Sequence, residues 1–172
     1  MVDAPRPDEQ PAQDERAPLH RNAQRVQDAL AGHEVSGEVV TLSASARTAA
    51  DAAAALGCDQ GAIVKSLVFV ADGAPVLVLT SGSHQVDPTK VASLLGVQDV
   101  ARADADTVRR VTGFPIGGVA PVGHPEPIGT LVDIGLQRYD VIWAAAGTPH
   151  TVFPTSYDEL LRITAGEPAE VA

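Results

Sequence analysis

Residues 62–80 read AIVKSLVFVADGAPVLVLT, two apolar and largely β-branched runs separated by Asp72-Gly73-Ala74-Pro75. Runs of this kind on either side of a turn predict a β-hairpin, with strands over 62–70 and 76–80. A hairpin at the centre of the sheet argues against a purely parallel βαβ arrangement. Before it, Leu19, Ala23, Val26 and Leu30 follow the 3.6-residue period and stop at Gly32, which predicts an amphipathic helix. Residues 35–42 then predict a short strand, and Thr48 caps an alanine-rich helix ending at Gly57. After the hairpin, Asp87-Pro88 opens a helix that stops at Gly96, and residues 104–111 form another before Gly113. Residues 130–134 and 141–146 predict strands around a bend at 135–140, and 150–153 a further one. Ser156 with Glu159 makes a capping box for a closing helix whose apolar face is Leu160, Leu161 and Ile163. The fold class expected is α+β, with a mixed, largely antiparallel sheet flanked by short helices.

The chain has 172 residues, one domain's worth, and its 45% hydrophobic content suits a globular core. Its formal net charge of −10 argues against a protein that grips long stretches of nucleic acid, and DNA is not an expected partner. Residues 1–18 are acidic and proline-rich with little to bury, so they read as a disordered leader. Residues 19–166 make the folded domain and 167–172 a flexible tail. The single cysteine, Cys58, excludes an internal disulfide and a cysteine-rich zinc site. No apolar run approaches the ~20 residues that cross a bilayer, and the first residues lack a signal-peptide pattern. The expectation is a soluble cytoplasmic protein with no membrane partner.

Three features could carry chemistry. Lys65 interrupts an apolar strand, where a buried ammonium is costly unless an anion or several acceptors meet it. It is one of only two lysines against ten arginines. Strand alternation also allows it to point to solvent. The stretch Gly113-Phe114-Pro115-Ile116-Gly117-Gly118-Val119-Ala120-Pro121-Val122-Gly123 is a loop in which glycines admit close backbone approach and backbone N–H groups could face an oxyanion. It has neither a Walker nor a dinucleotide spacing, and it is equally readable as a structural loop. Gly147-Thr148-Pro149-His150 follows an apolar strand, which could set His150 beside a cleft. His20, His33, His84 and His124 make no ligand-like spacing with it, which leaves a catalytic metal without support. Ser81-Gly82-Ser83-His84 is not a nucleophile elbow, and Cys58 beside Asp59 has no cause for a lowered pKa.

Taken in order, Ile63-Val64-Lys65-Ser66-Leu67, the Gly117–Gly123 loop and Ala145-Ala146-Gly147-Thr148-Pro149-His150, with Asp133 and Asp158-Glu159-Leu160, resemble the YbaK/EbsC family of aminoacyl-tRNA deacylases. That family is related to the editing domain inserted in some bacterial prolyl-tRNA synthetases, and the resemblance covers residues 19–166. It implies a curved, barrel-like sheet around a small pocket, and hydrolysis in trans of the ester joining a wrong amino acid to its tRNA. Neither a metal nor another cofactor is implied. The partners would be the tRNA acceptor end with its amino acid and a synthetase. Lys65, Gly117 and Gly118 would be the catalytic residues, with Ser66, Pro121, Gly147, Thr148 and His150 binding the substrate. Ser66 stands where alanine-clearing members carry asparagine, which directs the expectation to Cys-tRNA(Pro) or a related small amino acid. The alternative is a non-catalytic module of the same fold that binds a small ligand or a synthetase.

Overall fold

The structure, a computed structural model, describes residues 18–43 and 46–172. The expected leader therefore lies outside the described residues, apart from Pro18. The first element, α1 (Arg21–Gly32), buries Ala23, Val26 and Leu30 along one face. A two-residue strand β1 (Val40–Thr41) leads to α2 (Ala49–Leu56), where Thr48 and Asp51 form a capping box and Gly57 closes the helix at φ 68°. A 3-10 turn, Gln60–Ala62, then delivers the hairpin of β2 (Ile63–Ala71) and β3 (Ala74–Ser81). Its turn is the two residues Asp72 and Gly73, at φ 46° and 87°, because positive φ at both central positions matches the twist of the strands. Strand β3 consequently begins at Ala74, two residues earlier than the sequence suggests.

Beyond the hairpin come α3 (Pro88–Leu95), β4 (Val100–Arg102) and α4 (Ala105–Thr112), capped by Asp87 and Asp104 and closed by Gly96 and Gly113. The glycine- and proline-rich stretch has no helix or strand until β5 (Gly129–Asp133). A 3-10 turn at Ile134–Arg138 precedes β6 (Ile142–Ala145), β7 (Thr151–Thr155), α5 (Tyr157–Thr164) and β8 (Glu167–Ala169).

The strands form one mixed sheet in the order β1-β7-β6-β2-β3-β5-β8, with β4 also on β2. Pairs β2–β3, β2–β4, β6–β7 and β1–β7 are antiparallel, whereas β2–β6, β3–β5 and β5–β8 are parallel. The expected α+β class with a mixed sheet is present, and the hydrogen-bonded path is open, ending at β1 and β8. Alternation sorts the strands onto two cores. Val64, Val68, Leu77 and Leu79 pack with α1, α5 and Phe114 on one face, while Phe69, Val76 and Val78 pack with Val91 of α3 on the other.

Three departures from the sequence reading have local causes. Residues 35–39 do not pair as a strand, because Val35 and Val39 turn into the core beside α1 and the Val39 amide donates to Gln27 Oε1 at 2.9 Å. Strand β4 carries no alternation signal and is fixed from outside, by the Asp72 carboxylate accepting the Asp99 amide at 2.9 Å. Residues 167–172 are no flexible tail. Strand β8 pairs with β5, Val171 is fully buried against the α3 cluster, and its carbonyl accepts the Asp87 amide at 2.8 Å.

Candidate active site

The site follows from how β2 shares its outer edge. Pairing with β6 covers Ile63 and Val64, and pairing with β4 covers Phe69–Ala71. Between them β2 has no strand neighbour on that side among the described residues. The Ile63 carbonyl accepts the Gly82 amide on the β3 side, and the Val68 carbonyl accepts the Ala103 amide at 3.0 Å on the other. Backbone groups alternate along a strand, so the amide and carbonyl of Ser66 face the gap.

A cavity of about 280 Å³ fills the gap. Its walls come from β2 (Ile63 to Val68), α2 with Arg47 and Thr48 ahead of it, Arg102 at the end of β4 with Ala103 after it, Ile116 and Gly117 of the loop, Trp143 of β6 and Thr151 of β7. Lys65 projects to the Phe69 face and Ser66 to the Val64 face, and the cavity reaches both by wrapping around the bare edge.

Lys65 is half-buried and its ammonium donates to the carbonyl of His84. Burial pushes its pKa below the usual lysine value and the Arg102 charge adds to this, while the Asp133 carboxylate opposes both. Asp133 is 2% exposed and accepts four hydrogen bonds. Thr80 Oγ1 and the Ser81 amide reach Oδ2 at 3.0 Å, His84 Nδ1 reaches it at 2.8 Å, and the Gly135 amide reaches Oδ1 at 2.8 Å. Burial alone would raise the Asp133 carboxyl, but these donors outweigh it and hold the group below the ordinary carboxylate range. An ionised carboxylate only accepts, so His84 Nδ1 carries the proton. The carboxylate thus anchors the turn whose carbonyl holds Lys65.

The loop glycines divide. Gly117, at φ 84° with open space where a side chain would stand, faces the cavity. Gly118 is a turn residue, because its amide donates to the Pro115 carbonyl at 3.0 Å and an added Cβ would lie 2.8 Å from the Thr148 backbone. Pro121 is buried, away from the cavity wall. Gly147, at φ 95°, packs against Asn22 of α1, whose Nδ2 donates to its carbonyl at 3.2 Å. Thr148 and Thr151 join hydroxyls at 2.7 Å to shape the β6–β7 turn, and Pro149 rather than His150 lines the cavity. Two buried polar atoms lack a partner among the described residues, Ser66 Oγ and His150 Nδ1.

The sequence reading did not single out Arg47, Arg102, Trp143 or the bond from His84 to Asp133. Histidine and aspartate meet because β3 and β5 run parallel and end side by side, with Leu79 opposite Val132, and no spacing in the sequence records that neighbourhood. Among the described residues no group of three or more His, Cys, Asp or Glu side chains is arranged to hold a metal ion. Nor is any helix among them long and apolar enough to cross a membrane.

Comparison with known proteins agrees with this architecture. A solved structure described as a candidate trans-editing enzyme for prolyl-tRNA synthetase superposes with a TM-score of 0.86 at 42% identity, covering 90% of this chain and 98% of its own. The hypothetical protein APE2540 superposes at 0.79 with 28% identity, covering 86% of this chain and 98% of its own. Among curated sequences, the proline–tRNA ligase of Geobacter sulfurreducens is 34% identical over 131 residues, and that of Desulfovibrio desulfuricans 30% over 158. These stretches are 71% and 85% of this chain but 23% and 28% of the ligases, so the chain spans about a quarter of their length. The family model described as the aminoacyl-tRNA editing domain matches residues 43–163, which include β2, the Gly117 loop and the β6–β7 turn, and the chain belongs to that family.

Proposed function

We propose that the protein is a trans-acting aminoacyl-tRNA deacylase that hydrolyses the ester of a mischarged tRNA carrying a small amino acid, cysteine on tRNA(Pro) being the first candidate. The observation that supports this most directly is the meeting of Lys65, Gly117 and the bare edge of Ser66 on one cavity, in a member of the editing family. The ammonium of Lys65, held by the His84 carbonyl, orients the terminal ribose or the acyl group, a task that needs charge but no proton transfer. The Gly117 amide meets the developing oxyanion, where one properly aimed donor is worth about 3–4 kcal/mol of barrier. The amide and carbonyl of Ser66 bind the aminoacyl moiety as a neighbouring strand would, and its hydroxyl takes a polar group of the substrate. Gly118, Gly147 and Thr148 hold the loop and turn at their mutual distance, and Pro121 stiffens the path between them. His150, with Nδ1 buried and unpartnered among the described residues, follows Pro149 of the cavity wall in sequence and acts on the substrate only through that turn. The nucleophile is water or a group of the substrate itself, and no metal takes part. A synthetase supplies the tRNA affinity that an acidic surface lacks.

The test is release of amino acid from Cys-, Ala- and Ser-tRNA(Pro) by wild type and Lys65→Ala, with and without chelator. Chelator-resistant release, lost in the variant, is the expected result. A folded protein that clears none of the three would instead be a binding module of this fold.

A further inference from the structure

Resting on the deacylase reading, we propose that Arg25 and Asn22 are positioning residues for the reaction: from α1 they clasp the loop that carries Gly117 and the β6–β7 turn against which that loop leans. Residues 22, 25 and 29 are spaced i, i+3, i+7, so Asn22, Arg25 and Ala29 share one stripe of α1, beside the buried stripe of Ala23, Val26 and Leu30. This stripe meets three glycines. Gly113 and Gly123 bound the loop and Gly147 lies in the turn, with φ of 76°, 84° and 95°. An added Cβ would lie 2.6 Å from an Arg25 guanidinium nitrogen at Gly113 and 2.7 Å from the Asn22 carbonyl oxygen at Gly147. At Gly123 it would come within 4.0 Å of both Arg25 and Ala29. The glycines at the two ends of the loop are thus places where it is drawn onto the helix, not onto a ligand.

Arg25 serves both ends at once. Its guanidinium lies 4.2 Å from the centroid of the Phe114 ring, and Nη2 donates to the carbonyl of Thr112 at 3.5 Å, where a cation also meets the negative end of α4. The same ring takes His124 edge-on at 6.2 Å, and His124 Nε2 donates to the Ala120 carbonyl at 2.7 Å. Phe114, fully buried, therefore joins the start of the loop to its end under one guanidinium. Asn22 ties the turn to the same helix through its bond to the Gly147 carbonyl, and Gly118 against the Thr148 backbone closes the circuit. Gly117 has no packing where a Cβ would stand, so its amide is placed by these flanks. Helix α1 lies ahead of residues 43–163, so the clasp comes from outside the segment that the family model matches.

The test compares the full-length wild type with Arg25→Ala, Arg25→Lys and Asn22→Ala, each checked for cooperative thermal unfolding. One readout needs no substrate: the backbone amide resonances of Gly117, Gly118 and Gly147 in the free protein. The other is steady-state release of amino acid from Cys-, Ala- and Ser-tRNA(Pro). Arg25→Ala is expected to move the three resonances and to lower kcat about tenfold or more while KM stays within about twofold, because a donor to the oxyanion acts in the transition state. Arg25→Lys keeps the charge without the planar face and recovers part of the rate. Asn22→Ala moves the Gly147 resonance most and lowers kcat in the same sense. Unmoved resonances, or moved resonances with the kcat and KM of wild type, would overturn the clasp, and so would a loss that shows only as a lower unfolding temperature. Moved resonances beside a wild type that clears none of the three tRNAs would leave the clasp on the loop standing and sink the deacylase reading.

Discussion

Replacing Asp133 by asparagine tests the arrangement behind Lys65 most sharply. The carboxylate is 2% exposed and collects donors from Thr80, Ser81, His84 and Gly135. Asparagine keeps the shape but offers one oxygen and an NH2 group. With the oxygen toward Ser81 and His84, the NH2 faces the Gly135 amide; with the amide flipped, it faces Ser81 and His84. Either way a buried N–H loses its acceptor, which costs about 1–3 kcal/mol, and each surviving bond falls from charge-assisted to neutral, roughly 1 kcal/mol apiece. With the oxygen toward Thr80, Ser81 and His84, the sum is about 4–6 kcal/mol, a large part of a typical domain's 5–15. With m near 2 kcal/mol/M, the urea midpoint at pH 7 drops by about 2–3 M. The sign with pH is fixed by the lowered carboxyl: its contribution is complete above the unfolded carboxyl value of about 3.9 and is lost as pH falls through the lower folded one. The gap between wild type and variant therefore narrows below about pH 4. A loss under 1 kcal/mol at pH 7, or a gap that stays constant into acid, refutes the reading.

Lys65→Ala lowers deacylation at least a hundredfold with little loss of stability, and Lys65→Arg, whose planar head does not fit the His84 carbonyl in the same way, recovers only part of it. Because burial and Arg102 lower the Lys65 pKa, the enzymatic rate above background falls on the alkaline side at a pH below the 10.5 of an ordinary lysine, and a pH–rate profile reads this directly. Gly118→Ala forces the loop off Thr148 and lowers kcat/KM at least tenfold through displacement of Gly117, which single-turnover kinetics will register. Val171→Ala removes two buried methyl groups beneath α3 and costs about 2 kcal/mol in a chemical denaturation, whereas a flexible tail would give no change.

The elements that were legible in the sequence are those whose signals are local. Thr48 with Gly57, Asp87-Pro88 with Gly96, Asp104 with Gly113, and Ser156 with Glu159 each satisfy terminal backbone groups within a few residues, so capping chemistry alone marks those helix ends. Asp72-Gly73 did the same for the hairpin. Strands β4 and β8 are three residues each and exist because of partners far along the chain, Asp72 and β2 for one, β5 and α3 for the other. Lys65 stood out because an ammonium in an apolar strand demands an explanation. Its tether to the His84 carbonyl did not, since a backbone acceptor at the end of the neighbouring strand leaves no mark in residue type. Gly118 and Gly147 were visible as glycines, but whether a glycine approaches a ligand or another segment of the chain is decided by packing against Thr148 and Asn22.

The same packing explains why the cavity sits where it does. Strands β6 and β4 compete for one edge of β2, and because each takes an end, Ser66 between them has, among the described residues, no strand across from its amide and carbonyl and no partner for its hydroxyl. A buried hydroxyl without a partner costs about 1–3 kcal/mol, which the domain sustains through its two cores. An aminoacyl ester presents the complementary set, a carbonyl to accept and an ammonium to donate, so binding recovers what folding left unmatched. Site and sheet are then one design: extending β4 toward Lys65 would complete the ladder, stabilise the fold and close the cavity that the proposed function assigns to the ester.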